Sequence, residues 1–292
     1  MLSNVYAVIV AYETNLKQLD RILAAVASQC GFVLADNSDD EVLAKEISAC
    51  VIKHCGHYLC MDGNRGIGSA QNRGISVAWS LGADTVLLLD DDSMPANDLV
   101  DRLVSCSESL GHAVVIGAVA LNSAGLEISN FRSTSGAFLH CRDMMSSGTL
   151  IRRNIFERVG PFDESLFIDC VDFDWGWRAQ RMGIALRLCR ATAITHRLGQ
   201  GRIAGISYPT PIRHYFQYRN ILRMMPRPYT PWSWCLSQFV KLSIKLLLIP
   251  LLMPEKVQRL RFAFTGIRDA IRGRSGPWPG ADARNTQEIS AP

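Results

Sequence analysis

Between residues 5 and 90 the chain alternates two hydrophobic periods, and that alternation leaves few folds open. Residues 5–10 are a continuous apolar run rich in β-branched side chains, the pattern of a strand buried on both faces. Leu16, Leu19, Ile22, Leu23 and Val26 then recur at helical spacing. The pattern goes on to predict a strand over 32–35, a short helix near 43–49, a strand around 51–54, a helix over 67–81 and a strand over 86–89. Strands and helices in this rhythm predict an α/β fold with a mainly parallel central sheet and helices on both faces. Such sheets bind ligands beyond the carboxyl ends of their strands. Here two runs end on acids, Asp36 and Asp90-Asp91-Asp92, so two acidic strand ends share one crevice.

A chain of 292 residues can bury a sizeable core. Its net charge of +4 is too small to argue for nucleic acid, and none is expected as a partner. From Arg178 onward, however, arginine and aromatic residues concentrate, which suits phosphate-bearing partners or a membrane surface. Nine scattered cysteines, and an opening Met1-Leu2-Ser3-Asn4 that runs straight into the first strand, predict free thiols in a reducing cytoplasm. The group His54, Cys55, His57 and Cys60 lacks the second ligand pair of a zinc finger and reads as strand and turn.

Four motifs carry chemistry. A hydrophobic strand that stops on Asp90-Asp91-Asp92 suffers like-charge repulsion, which a hard divalent cation relieves; a solvated acidic turn has the same sequence. In Asn64-Arg65-Gly66-Ile67-Gly68-Ser69-Ala70-Gln71-Asn72-Arg73-Gly74 the small residues let a helix start approach a ligand, and its N–H groups with Arg65 suit phosphate. Close helix packing alone also explains those glycines. A dinucleotide fingerprint would instead follow the first strand directly, with glycine where Gln71 stands. In Phe167 through Arg178, Asp172 and Asp174 suit a helix start, and Arg178 stands one turn after Asp174 as its ion-pair partner. Asp172 is then free to face the crevice as a general base, its pKa raised by burial beside Trp175 or Trp177. An N-cap plus a salt bridge is the plainer account. His196, after a β-like segment, gains interest only from this company.

In this order the motifs resemble the family 2 glycosyltransferases, which have the GT-A nucleotide-diphospho-sugar transferase fold, and more narrowly their bacterial rhamnosyltransferase branch. The resemblance implies an inverting, metal-dependent enzyme. It places Ala11, Tyr12, Asp36 and Asn37 at the nucleoside edge, and Asn64, Arg65, Gly66 and Asn72 at the glycine-rich helix entry. It gives Asp90 and Asp91 to the sugar nucleotide, and Asp92 with His196 to Mg²⁺ or Mn²⁺. Asp172 takes the place of the catalytic base, with Val171 where the family has Glu. Ser147, Gly148, Asp169, Asp174 and Trp175 fall on the acceptor side, and Arg219 in a basic-aromatic segment near the diphosphate. The implied donor is dTDP-L-rhamnose, with a UDP-hexose or UDP-galactofuranose as the alternative. The implied acceptor is a saccharide, free or linked to a polyprenyl diphosphate, in O-antigen or related polysaccharide synthesis. A non-catalytic nucleotide-sugar-binding module is the rival reading.

Residues 232–253 are apolar enough to span a bilayer, but Lys241, Lys245 and Pro250 interrupt them and a basic stretch over 255–274 follows. An amphipathic pair lying on the inner face of the cytoplasmic membrane is expected, a helical core or dimer interface being the alternative. The expected division is a catalytic domain over 1–225, C-terminal helices over 226–275 and a disordered tail over 276–292.

Overall fold

The computed structural model describes residues 4–280 except 112, 123, 130–132, 197–201, 204, 205 and 208; the side chains of 134, 135, 196, 202, 203, 206 and 207 are likewise outside the description. β1 (Val5–Ala11) sits between β2 (Gly31–Asp36) and β4 (Thr85–Asp90), parallel to both, and β3 (His57–Cys60) continues parallel beyond β2. β5 (Ser93–Pro95), β6 (Val114–Leu121), β7 (Ser133–Ser135), β8 (Phe138–His140), β9 (Thr149–Arg152) and β10 (Ala185–His196) complete a mixed sheet of order β3-β2-β1-β4-β9-β6-β10-β8-β7, with β5 against β10. Parallel pairing joins the four strands of the N-terminal half and recurs between β6 and β10, while β9 enters antiparallel between β4 and β6.

Alternation along β1 sends Val8 to one core and Ala7, Ile9 and Ala11 to the other. α1 (Leu16–Ala27), α2 (Glu41–Lys53) and α4 (Leu99–Leu110) cover the second face, through Leu19, Ile47 and Leu103 among others. α3 (Ile67–Ser80), α5 (Arg153–Val159) and α6 (Val171–Arg181) cover the first. The strand expected at 51–54 is instead the end of α2, because Ile47 and Val51 prolong its buried stripe and Asp40 caps it by accepting from the N–H groups of Val42 and Leu43. Cys106 and Cys189 are joined in a disulfide between α4 and β10, so two of the nine cysteines expected as free thiols are paired.

Beyond the sheet, Pro211 serves as a helix-starting residue for α7 (Pro211–Met224). α8 (Trp232–Leu252) and α9 (Lys256–Ile271) follow. α9 lies so close to α7 that a Cβ on Gly266 would stand 2.5 Å from the Tyr215 carbonyl oxygen. Of the tail expected from 276, Gly276 donates to Ser165 O at 3.0 Å and Trp278 packs edge-on against Tyr215 and Phe262; residues 281–292 lie outside the described residues.

Candidate active site

Parallel register aligns the carboxyl ends of three strands: Ala11 pairs with Asp36, and Val10 with Asp90. Asp36 is buried, and both its oxygens are engaged, by the Ser38 N–H and the Tyr58 hydroxyl, each at 2.9 Å. Asn37 links this strand end to the glycine-rich helix entry. Its Oδ1 accepts from Arg65 N–H and its Nδ2 donates to Gly66 O, both at 3.2 Å. Asp39 accepts from the Asn64 N–H at 3.1 Å and from the Tyr12 hydroxyl at 3.4 Å. Ala11, Tyr12, Asn37, Asn64, Arg65 and Gly66 thus form one polar rim beside Asp90, with Asp36 bracing it from within.

The acidic cluster closes that rim. Asp91 Oδ2 accepts the Tyr12 N–H at 3.2 Å, and burial, then the charges of Asp92 and Asp90, push its carboxyl up to about 7. Ser147, expected on the acceptor side, backs the cluster instead: it accepts from the Asp90 N–H at 3.1 Å and donates to Ser93 at 2.8 Å. Antiparallel pairing sets His196 opposite Ser93, next to Asp92; its side chain lies outside the described residues. Hard carboxylate oxygens under mutual repulsion are the donor set that Mg²⁺ or Mn²⁺ takes, so the residues present fit such an ion. A different group, Asp20 with Cys50 and His54, also comes within ligand distance, but Asp20 Oδ1 there receives Lys53 Nζ at 2.8 Å, an ion-paired contact between α1 and α2.

Asp172 stands in the first turn of α6, half-buried, and borders a crevice of about 20 Å³ with Met145, Ser146 and Trp175. Burial raises its carboxyl to about 7; the charges of Asp169 and Asp90 add to this, and the Phe173 N–H, donating at 2.9 Å, works against it. The charge of Asp90, at the end of β4, is thus among those that hold the proton on Asp172. A carboxylate with this affinity can take a proton from a hydroxyl near neutral pH.

Five other candidates turn out to build the frame. Asp174 is 1% exposed, accepts from Arg178 Nε at 2.9 Å and Tyr229 Oη at 2.6 Å, and pairs with Arg227. Trp175 donates Nε1–H to Gly160 O at 2.9 Å inside an aromatic group with Phe156 and Phe162. Gly148 donates to Leu88 O at 2.8 Å and has φ +78°. Asn72 is spent on Phe162 and Glu164. Arg219, expected at the diphosphate, is fully buried between Tyr215 and Phe216, and donates to the carbonyls of Leu166 and Gly276. An arginine in a basic-aromatic run looks like an anion ligand in sequence; here cation–π stacking and two carbonyls hold it in the core.

Asp169 accepts from Arg213 Nη2 at 2.6 Å and lines a cavity of about 450 Å³ together with Phe173, Gln217, Trp234, Lys241 and Lys245. α8 closes this cavity and is anchored to the base helix, Trp234 meeting Trp177 edge-on at 4.9 Å. Sequence reasoning gave no role of their own to Asp39 and Tyr58 on the rim; the turn composition at 36–40 is the signal that could have found the first.

The Glycosyl transferase family 2 model matches residues 6–160. The chain is 30% identical to the dTDP-rhamnosyl transferase RfbF of Shigella flexneri over 94% of its own length and 98% of that protein's. In fold it resembles S. aureus TarS in complex with UDP-GlcNAc (TM-score 0.58, 15% identity, 91% of this chain and 81% of that one). It also resembles a mannosyltransferase of Pyrobaculum calidifontis in complex with GDP-Man and Mn²⁺ (TM-score 0.55, 13% identity, 98% and 79%).

Proposed function

Because the chain belongs to glycosyltransferase family 2 and has the GT-A fold, we propose that it moves a sugar from a nucleoside diphosphate to an acceptor hydroxyl with inversion, Asp172 acting as the base. The observation that carries this reading is the Asp172 carboxyl at the head of α6, raised to about 7 by burial, with the charges of Asp169 and Asp90 adding to it. Asp172 takes the hydroxyl proton as the acceptor oxygen bonds to the anomeric carbon. The bond from that carbon to the diphosphate oxygen breaks, and its electron pair leaves with the nucleoside diphosphate. One carboxylate suffices for such a direct displacement. The polar rim from Ala11 to Gly66 receives the nucleoside. Asp92, with His196, would hold Mg²⁺ or Mn²⁺, which supplies charge neutralisation to the leaving diphosphate when bound, while Asp90 faces the sugar nucleotide.

The donor is dTDP-L-rhamnose, a choice supported by the name of the Shigella relative. The acceptor is a saccharide, free or lipid-linked, of a bacterial surface polysaccharide. It approaches across Asp169 and the cavity beneath α8. Supporting a peripheral position on the membrane, α8 presents Trp232, Phe239, Leu247 and Leu251 to the outside, and α9 adds Val257 and Ile271. The test is Asp172→Asn, assayed for transfer and, by calorimetry, for donor binding. Transfer should vanish while donor affinity stays within about threefold. Retained turnover would end the assignment.

A further inference from the structure

The turn that delivers Asp172 is held in an unusual shape. Phe167, Asp169 and Cys170 have φ of +67°, +62° and +66°, a backbone region that residues with a side chain rarely adopt. Such conformations persist only where the surroundings over-determine them, and they gather at functional sites. Cys170 is the residue that opens α6, and no side chain caps the helix there. Short-range bonds such as Ile168 N–H to Leu166 O at 2.8 Å shape the loop, but no cap at the helix start fixes the direction in which the first turn, and Asp172 with it, leaves it.

The fixing comes from α7. Asn220, fully buried, shares its two Nδ2–H groups among Leu166 O at 2.8 Å, Ile168 O at 2.5 Å and Asp169 O at 3.1 Å. Its Oδ1 accepts from Arg219 Nε at 2.9 Å. A guanidinium only donates, so that contact sets which end of the amide faces the turn. From the other side, the Ile67 N–H at the start of α3 donates to Phe167 O at 2.8 Å. At Gly66, with φ +85°, a Cβ would stand 2.6 Å from the same oxygen. The turn is thus clasped between the rim that faces the donor and one amide of α7.

We infer that Asn220 is a positioning residue, whose amide holds the 167–170 turn in the shape that aims Asp172 at the acceptor hydroxyl. This rests on the reading of Asp172 as the base. Removing the amide takes the side-chain donor from Ile168 O and Asp169 O, while Leu166 O keeps Arg219 Nη2 and the Ile168 N–H, and frees the turn to relax, displacing the base. The rim residues Tyr12, Asn37 and Arg65 keep all their contacts.

The experiment compares Asn220→Ala, Asn220→Ser and Asp172→Asn with the parent enzyme, using nucleoside diphosphate binding to count folded sites. The Asn220 variants should bind the diphosphate at unchanged stoichiometry and keep the donor KM, while kcat falls about 10- to 100-fold. Amide exchange across 166–172 should quicken in parallel. A kcat within twofold of the parent, in a folded variant, overturns the inference even where Asp172→Asn is inactive. Turnover retained by Asp172→Asn overturns the base assignment, and this inference with it. Should neither Asn220 variant fold, exchange in the parent decides: the 168–170 amides must be strongly protected, and rapid exchange there overturns the proposal.

Discussion

The carboxylate of Asp91 accepts the backbone N–H of Tyr12 at 3.2 Å, tying the end of β4 to the residue that follows β1. The middle acid of the cluster thereby shapes the rim on which a nucleoside would lie. Asp91→Asn keeps an oxygen acceptor and should bind nucleoside diphosphate almost as the parent does. Asp91→Ala loses the contact, and its affinity should fall about tenfold, the worth of one such hydrogen bond. Calorimetric titration with the diphosphate separates the two.

Asp172 sets a pH dependence. A base whose pKa is about 7 loses activity as pH falls, so log kcat should rise with unit slope below about 7 and level off above it. The stability effect has the opposite sign. The folded state binds the proton more tightly than the unfolded chain, so the contribution of Asp172 to stability declines between about pH 4 and pH 7. Asp172→Asn should therefore gain stability over the parent more at pH 8 than at pH 5, as urea denaturation at the two pH values would reveal.

Asp174 should behave differently from its neighbour two residues earlier. It is buried between Arg178, Arg227 and Tyr229, so Asp174→Ala takes a shared carboxylate from two guanidinium groups, of which Arg227 keeps Asp163, and should cost about 3 kcal/mol. Denaturant midpoints measure this directly. If its weight were catalytic, kcat would drop with the midpoint unmoved.

Gly66→Ala combines a left-handed φ with a collision against Phe167 O. A loss of at least about 2 kcal/mol is expected, visible as a lowered melting temperature. Gly111→Ala is the control: φ is +83° there, but nothing lies within 4 Å of the added carbon, so the cost should be smaller.

Leu247→Ser together with Leu251→Ser should reduce co-sedimentation with anionic vesicles, because both side chains face outward from α8. Transfer to a soluble acceptor should be unchanged. Unaltered vesicle binding in the double variant would count against α8 as the membrane contact.

Much of this architecture was legible in the sequence, for identifiable reasons. Buried parallel strands announce themselves as apolar runs, so β1, β2 and β4 were readable, as was the placing of Asp36 and Asp90 at their ends. The spacing of Asp172 and Asp174 at a helix start was equally plain, and so was the Asp174–Arg178 pair. What stayed hidden depends on distant partners. Arg219 has the composition of a phosphate ligand, and only the fold brings Tyr215, Leu166 and Gly276 around it. Asn72 and Ser147 are short polar residues whose partners lie 90 and 54 positions away. The strand misplaced at 51–54 shows the limit of periodicity: Val51 and Ile52 suit a strand and a helix equally, and the i,i+4 link to Ile47 decided it.

The contact between Trp234 of α8 and Trp177 of α6 has a consequence for reach. If α8 rests on the bilayer, the same rigid pair that touches lipid also carries Asp172, at a fixed height above the surface. An acceptor growing outward from a lipid anchor would then present only one of its sugars at that height. The enzyme would measure its acceptor with a ruler, adding its sugar at one length of chain and leaving shorter and longer chains to others.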